Sequence, residues 1–398
     1  MRRSLKLTAL AGAAVTIASL TLPAVAGADG FVGGGPAGQP GGGFGHRDTV
    51  YVQTNDPTGN QIVTYVSDGE GLHEVGRTDT GGLGVAIPGA AVDKLASEGG
   101  LASDPSDGLL VGVNGGSNTI SVFHAVGPFV SRAHVVASGG TTPVSVAVRG
   151  DLVYVLNSGG TGSIQGFYAD SLTPIPGSNR PLGLTPGLTP AFLNTPGQIG
   201  FTPDGRHLVV TTKANGSDID VFDVTPSGSV SGAPVVNPSA TPVPFGFTFD
   251  RLGHLVVTEA GTSALTTYSI APGGTLTELG STTDGLAALC WVTTNGTYFF
   301  GANAGSATVT SYAIGASGVP TIVGDATTDP GPVDLTASPD GRSLFVETGA
   351  SDLVDSFAVQ ANGTLVATGS AAPELPGHSG LEGIAVGGSP YGSDDGGF

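Results

Sequence analysis

Short apolar segments separated by tight turns recur along almost the whole chain. Each unit contains an apolar strand, a tight turn, a second apolar strand, a Gly/Ser/Asn-rich loop and a further strand. Seven units align on their second strand, with steps of 60, 43, 55, 47, 43 and 46 residues between Tyr51, Val111, Tyr154, Val209, Val256, Phe299 and Phe345. A period of ~40–50 residues with several short strands per unit is typical of a β-propeller. The pattern therefore predicts an all-β, seven-bladed β-propeller.

The turns have the residues that tight hairpins require. Between the first and second strands of four units lie Asn, Asp and Gly, which tolerate positive φ, at residues 149–151, 203–205, 295–296 and 339–341. Gly- and Ser-rich loops follow the second strand in most units. Because each blade packs only against its neighbours, we predict one domain despite the length of the chain.

The two ends of the repeat region predict how the ring closes. Residues 48–52 match a second strand, whereas residues 381–386 match a first strand. The C-terminal segment should therefore supply the inner strand of the first blade, because an open ring would leave two unpaired sheet edges.

The ends of the chain predict export. Residues 1–28 have a basic start, an apolar stretch and a small-residue cleavage site, as in a signal peptide, and an uncleaved anchor helix is the alternative. Residues 29–47 read as a flexible Gly/Pro-rich linker, residues 48–388 as the propeller and residues 389–398 as a flexible tail. We expect a secreted, extracellular protein, exported by the general or the twin-arginine route.

Charge and cysteine content exclude several classes of partner and bond. The formal net charge of −19 disfavours nucleic acid and anionic lipid. The acids are scattered, which favours a solubilising surface over a calcium site. The single cysteine excludes an internal disulfide. We expect no cofactor, no metal, no membrane span after signal cleavage, and a monomer that binds a small neutral lactone or another extracellular ligand.

The blade residues carry a resemblance to a known family. Residues 154–157 (Tyr-Val-Leu-Asn), residues 338–342 (Ser-Pro-Asp-Gly-Arg) and residues 290–293 (Cys-Trp-Val-Thr) resemble the seven-bladed lactonase family, which includes 6-phosphogluconolactonase-type and carboxy-cis,cis-muconate cyclase-type proteins. The resemblance covers roughly residues 48 to 388 and would make this chain an exported member of actinobacterial type. It implies opening or closing of a lactone ring at the central mouth by His, Arg and Glu side chains, without a metal.

This chain departs from the family pattern at the mouth. Gly197 stands where the pattern has His, and Val243 and Val333 stand where it has Arg. The same register in the other blades predicts a largely apolar channel ring, completed by Gly99, Val144, Cys290 and Glu382. Losing one oxyanion donor typically costs ~2.7–4 kcal/mol of barrier, so the departure weakens a direct transfer of activity.

Three carboxylates remain as catalytic candidates. Glu259, after the second strand of blade five, matches the family pattern, and Glu347 and Glu382 could converge with it at the mouth. Paired carboxylates can perform acid/base chemistry, but they can equally be solvated residues at loop ends. Cys290 reads as a buried thiol more readily than as a nucleophile, and the seven histidines show no metal-ligand spacing.

Two functions therefore remain open. The first is a lactone hydrolase or cyclase-like enzyme that uses Glu259 and nearby acids. The second is a non-catalytic extracellular propeller that binds a ligand or a protein on its loop face. The apolar ring favours the second, and the resemblance favours the first.

Overall fold

The chain folds as seven four-stranded antiparallel sheets. The computed structural model describes residues 47–68, 71–104, 106–373 and 380–387. The predicted signal peptide, all but Arg47 of the predicted linker, and the predicted tail lie outside the described residues. Within the described residues, no helix is long and apolar enough to cross a membrane.

Strands follow one another from the inside of each blade to its outside. Blade one contains β1 (Thr49–Thr54), β2 (Gln61–Ser67) and β3 (Leu72–Asp79). The next three blades consist of β4 (Leu101–Asp104), β5 (Leu109–Asn114), β6 (Thr119–Val126) and β7 (Phe129–Ala137); β8 (Pro143–Arg149), β9 (Leu152–Asn157), β10 (Ser163–Tyr168) and β11 (Arg180–Pro181); and β12 (Ile199–Phe201), β13 (His207–Thr211), β14 (Asp218–Asp223) and β15 (Val235–Pro238). A short helix, α1 (Ala191–Asn194), precedes β12.

The last three blades repeat this order. They consist of β16 (Pro244–Phe249), β17 (Leu255–Glu259), β18 (Ala264–Ile270) and β19 (Leu276–Thr283); β20 (Leu289–Thr294), β21 (Tyr298–Asn303), β22 (Thr308–Ile314) and β23 (Pro320–Thr327); and β24 (Pro332–Ala337), β25 (Ser343–Thr348), β26 (Leu353–Val359) and β27 (Leu365–Ala371).

The C-terminal strand closes the ring, as predicted. β28 (Leu381–Gly387) pairs antiparallel with β1 and places Tyr51 opposite Ala385. Blade one thus contains one C-terminal and three N-terminal strands, which removes both free sheet edges.

The second strands form the buried core of the blades. Alternating Val, Leu, Tyr and Phe side chains on these strands are nearly all buried between neighbouring sheets. In blades one and three, the second-strand tyrosine also donates a hydrogen bond into the next blade, Tyr51 to the Gly127 carbonyl and Tyr154 to the Gly228 carbonyl. Strand pairing assigns Phe300 rather than Phe299 to this repeat position, because Asn303 and Asn157 both lie opposite the first residue of their inner strands.

The inner strands begin with an irregularity that brings their first residues together. A β-bulge follows the first paired residue in five inner strands, β8, β16, β20, β24 and β28. A bulge bends the strand and redirects side chains, and here it precedes the residues that meet near the propeller axis.

Two connections between blades are longer than the rest. Residues 80–100 join β3 to β4 and residues 182–198 join β11 to β12, whereas the connections at residues 138–142, 239–243, 284–288 and 328–331 are short. Part of the first long connection, residues 91–99, lies across the starts of the inner strands, and we call it the axial segment.

Candidate active site at the propeller axis

Five buried carboxyl groups meet where the axial segment touches the inner strands. We call them the axial acid cluster, and each is nearly inaccessible to solvent: Asp93, Glu98, Asp334, Glu347 and Glu382. Asp93 and Glu98 belong to the axial segment, and the other three belong to β24, β25 and β28. Like charges in a dry site disfavour ionisation, so the pKa values of these groups are raised. Carboxyl groups with raised pKa values are typical of functional sites.

Glu382 joins the wall of the channel to the axial segment. One of its carboxyl oxygens accepts hydrogen bonds from the backbone N–H groups of Lys94 and Leu95. The carboxyl groups of Glu382 and Asp93 also share a side-chain hydrogen bond, and Asp93 accepts from the N–H groups of Ala96 and Ser97 at 2.6 and 2.7 Å. Burial, with the nearby negative charge of Asp93, holds the pKa of Glu382 well above its ordinary value, and burial also raises the pKa of Asp93.

Glu347 lies beside Glu382 and is incompletely bonded. Its Oε2 accepts from the N–H of Gly383 at 3.1 Å, whereas its Oε1 accepts no hydrogen bond from any described residue. Burial, followed by the charge of Asp334, raises the pKa of Glu347 well above its ordinary value. Burial and the charge of Asp93 likewise raise the pKa of Asp334 to about 7. A buried carboxylate oxygen without a donor is costly, so Glu347 is poised to accept a proton.

Lys213 supplies a cation near the cluster. Its ammonium group donates to the carbonyls of Ala96 and Phe192 and to the hydroxyl of Thr195, and it lies 5.1 Å from the centre of the Phe245 ring. Burial lowers the pKa of Lys213 to about 7, a shift that the charge of Asp93 opposes. A fully buried lysine that is saturated by acceptors binds the axial segment rather than a ligand.

The remaining acid, Glu98, fits closely against blades five and six. Its carboxylate accepts from the N–H of Val292 at 3.4 Å. The backbone N–H of Glu98 donates to the Gly197 carbonyl at 3.1 Å. A Cβ on Gly246 would lie 1.7 Å from a Glu98 oxygen, so only glycine fits there. Burial, followed by the charge of Asp334, holds the pKa of Glu98 well above its ordinary value.

The space around these groups is small. The cleft between the axial segment and the wall has about 190 Å³ of empty space, with no room for a free water molecule, and Trp291, Val333 and Gly383 complete its lining. A larger open groove, with about 1090 Å³ of empty space, lies at the outer edge of blades one and two. Its arginines are already engaged, Arg77 with Glu74 and Arg132 with the Asp79 carbonyl, so we assign the chemistry to the smaller axial cleft.

The structure separates the three predicted catalytic carboxylates. Glu347 and Glu382 come together at the axis, but Glu259 does not join them. Glu259 is fully buried among four hydroxyl groups, which donate to its two oxygens over 2.5–2.7 Å: Ser239, Thr241, Thr266 and Tyr268. Its hydrogen-bonding capacity is filled by the fold, which is what a structural role requires.

The predicted channel ring lies largely at the starts of the inner strands. Val144, Cys290 and Val333 are buried bulge residues, Gly99 and Gly197 bond the axial segment to blades three and four, and Glu382 belongs to the acid cluster. In blade five the position belongs to Phe245, because Val243 precedes the first paired residue, Pro244. The sequence offers two Pro-X pairs there, Pro242-Val243 and Pro244-Phe245, and strand pairing selects the second.

Sequence reasoning missed Asp93, Glu98, Asp334, Lys213 and Phe245. One signal was present, because the step of 60 residues from Tyr51 to Val111 is the longest in the repeat and locates the inserted axial segment. Nothing in the repeat marks Lys213 or Asp334, which reach the axis only through packing. In the described part of the chain, no three His, Cys, Asp or Glu side chains are arranged to hold a metal ion.

Comparison with solved structures identifies the architecture. A candidate 6-phosphogluconolactonase from Bacteroides fragilis is 18% identical, with a TM-score of 0.67 over 85% of this chain and 98% of the other. The periplasmic gluconolactonase of Pseudomonas aeruginosa is 17% identical, with a TM-score of 0.67 over 87% and 100%. The fold is that of lactonase-like seven-bladed propellers.

Similarity in sequence does not extend further. No protein-family model matches this chain, and no curated protein matches it either. A streptogramin B lyase structure also shares the architecture at 14% identity, with a TM-score of 0.53 over 75% of this chain and 89% of the other. One propeller architecture thus supports different chemistries, and function must be argued from the site.

Proposed function

We propose that this protein hydrolyses neutral lactones at the axial acid cluster, with Glu347 and Glu382 as its catalytic pair. The observation that carries the proposal is the pairing of two buried carboxyl groups that differ in their hydrogen bonds. Glu382 lies against Asp93 and accepts from two backbone N–H groups, whereas Oε1 of Glu347 has no hydrogen-bond partner among the described residues.

The chemistry follows from these roles. The ionised Glu347 takes a proton from water, whose oxygen attacks the lactone carbonyl carbon. The protonated Glu382 donates a hydrogen bond to the carbonyl oxygen and stabilises the charge that develops there, which replaces the missing His and Arg donors. Collapse of the tetrahedral intermediate breaks the bond to the ring oxygen, which takes the proton held by Glu347. The product is a hydroxy acid.

The electrostatics select the substrate class. A site with five carboxyl groups disfavours phosphorylated lactones and carboxylated muconates, because a second negative charge would have to enter a dry acidic cleft. The same field expels the carboxylate product. A neutral ring is therefore the substrate class that the charge of the cluster favours, and it can enter only when the cleft, which is closed in this structure, opens.

A lactone-opening assay tests the proposal. We expect hydrolysis of glucono-δ-lactone or another neutral lactone above the uncatalysed rate, and little hydrolysis of 6-phosphogluconolactone. Substituting Glu347→Gln or Glu382→Gln should lower kcat by about 10²-fold or more, the usual contribution of acid/base groups. Glu259→Gln is the matched control and should retain kcat per folded molecule.

The pH profile provides a second readout. Activity should rise with pH as Glu347 ionises and fall as Glu382 loses its proton, with both limbs displaced upward because burial raises both pKa values. Robust turnover of the phosphorylated lactone that depends on Glu259 would overturn the proposed site and assign the activity elsewhere. No turnover of any neutral lactone over this range would overturn the proposal and leave the binding propeller as the better account.

A further inference from the structure

The strand that closes the ring also supplies backbone donors to the acid cluster. β28 has a bulge in its pairing with β1, and Glu382, Gly383 and Ile384 lie at this bulge. Glu382 contributes its own carboxyl group, and the N–H of Gly383 donates to Oε2 of Glu347 at 3.1 Å. The N–H of Ile384 donates to the carboxyl group of Asp334. One bulge of blade one therefore holds two carboxyl groups of blade seven.

Glu347 depends on a single N–H group. Its side chain is fully buried, and the Gly383 N–H is the only donor that its two carboxyl oxygens have among the described residues. Glu347 and Gly383 both line the axial cleft. Because the bond engages Oε2, it leaves Oε1 as the oxygen that can accept a proton.

Only glycine can present its N–H in this way. Gly383 has a φ of +121°, in the region that L side chains rarely adopt. A Cβ there would lie 2.5 Å from the backbone nitrogen of Leu101, at the start of β4. A Cβ on Gly100 would likewise lie 2.6 Å from the Glu382 carbonyl oxygen. Two glycines thus let the backbones of β28 and blade two meet at the site, and a side chain at residue 383 would move the N–H away from Glu347.

We propose that Gly383 is the positioning residue of the axial site, whose backbone N–H orients Glu347 to take a proton from water. Ring closure and assembly of the catalytic pair are then one event, because the closing strand brings both Glu382 and this N–H. The role of the N–H in the reaction rests on the proposed function, but its effect on Glu347 can be measured without a substrate.

A backbone ester at residue 383 is the direct test, because it replaces the N–H of Gly383 with an oxygen and keeps the freedom of φ. Loss of the donor should raise the pKa of Glu347 further, since this hydrogen bond favours the carboxylate and opposes the effect of burial. NMR of protein labelled at the glutamate carboxyl carbons measures this pKa, and Glu347→Gln assigns the resonance.

The lactone assay gives the second readout of the same ester. Its kcat should fall about tenfold or more, the usual effect of losing one hydrogen bond to a charged group. KM should change little, because Glu347 acts on water rather than on the lactone. The rising limb of the pH profile should move to higher pH together with the pKa of Glu347.

An ester at Gly253 is the matched control. Gly253 also has a positive φ, +82°, and its N–H donates to the Asp250 carbonyl at 3.0 Å in the turn between β16 and β17. This ester should leave the pKa of Glu347 and kcat unchanged. Gly383→Ala guards against misfolding of the first ester, since its Cβ displaces the N–H and should change Glu347 in the same direction. Circular dichroism must show retained β structure for each variant.

A double-mutant cycle separates positioning from a general effect on the fold. In the Glu347→Gln background, the ester at residue 383 should cause no further loss of the residual kcat, because the carboxylate that it positions is gone. A loss of equal size in both backgrounds would show that the Gly383 N–H acts through the fold, and it would overturn the proposal.

Separate outcomes contradict the two proposals. A raised pKa of Glu347 in the ester of a protein that hydrolyses no lactone would contradict the proposed function and leave the positioning of Glu347 standing. An unchanged pKa of Glu347 in the ester of a protein that does hydrolyse lactones would contradict the role of Gly383 and leave the function standing.

Discussion

Two buried glutamates near the ends of second strands differ in their hydrogen bonds and in the charges around them. Glu259, at the end of β17, and Glu347, near the end of β25, are both fully buried. Four hydroxyl groups saturate Glu259, whereas Glu347 has one backbone donor and an oxygen without one. Burial alone therefore does not distinguish the two glutamates, whereas the number of hydrogen-bond donors and the neighbouring charges do.

The glutamate that matches the family pattern is not the one with the perturbed environment. Glu259 is the residue that matches the pattern, yet the fold uses all of its hydrogen-bonding capacity. Glu347 and Glu382 match no retained family position, yet they have the perturbed environment that acid/base chemistry requires.

The largest expected effect is on stability at Glu259. Glu259→Ala leaves four hydroxyl donors facing a cavity, and we expect a loss of roughly 3 kcal/mol or more in the free energy of unfolding, because each unsatisfied buried group costs about 1–3 kcal/mol. Urea unfolding followed by circular dichroism measures this. A loss below 1 kcal/mol would show that Glu259 is not a structural centre and would remove the contrast with Glu347.

A smaller and opposite effect is expected at Glu347. Its pKa is raised in the folded protein, so the wild type loses stability as pH rises above the ordinary glutamate value of about 4.5, whereas a glutamine does not titrate. Glu347→Gln should therefore match wild type near pH 4 and exceed it by about 1–3 kcal/mol near pH 8. Unfolding curves at the two pH values check the sign, and a variant less stable than wild type at pH 8 would contradict it.

The smallest effect sharpens the account of Glu259. Thr266→Val removes one of its four donors and keeps the shape of the side chain. We expect a loss of about 1 kcal/mol, the net value of one hydrogen bond, with unchanged lactone hydrolysis per folded molecule. A change in kcat would connect this residue to the axis, against the separation seen in the structure.

The fold could be predicted to a large extent because its determinants are local. Alternation of apolar residues, Asn-Gly and Asp-Gly turns and the period of the repeat act within a few residues of each other, and they recur seven times. Ring closure by the C-terminal strand could also be predicted from the sequence. The chain ends with a first strand that has no blade of its own and begins with a blade that lacks its first strand, and only their pairing leaves no open sheet edge.

The site could be predicted only in part. Glu347 and Glu382 were named from their position in the repeat, which brings the ends of second strands and the starts of first strands to one face. The register was wrong by two residues at Val243 and by one residue at Phe299, because the distance between the paired ends of the inner and second strands differs from blade to blade. Such shifts are decided by packing between blades.

The sequence by itself determined the number of blades, the turns and the closing strand, since each depends on periodicity and on the φ preferences of neighbouring residues. The tertiary structure alone decided that Asp93, from a connection between blades, meets Glu382, 289 residues later, and that Lys213 fixes that connection. No local pattern encodes these contacts, because a long loop can enter the channel or lie on the surface with the same composition. The position of this loop is fixed by the packing of Leu95 and by hydrogen bonds to groups of the inner strands at the axis, such as the Glu382 carboxyl group.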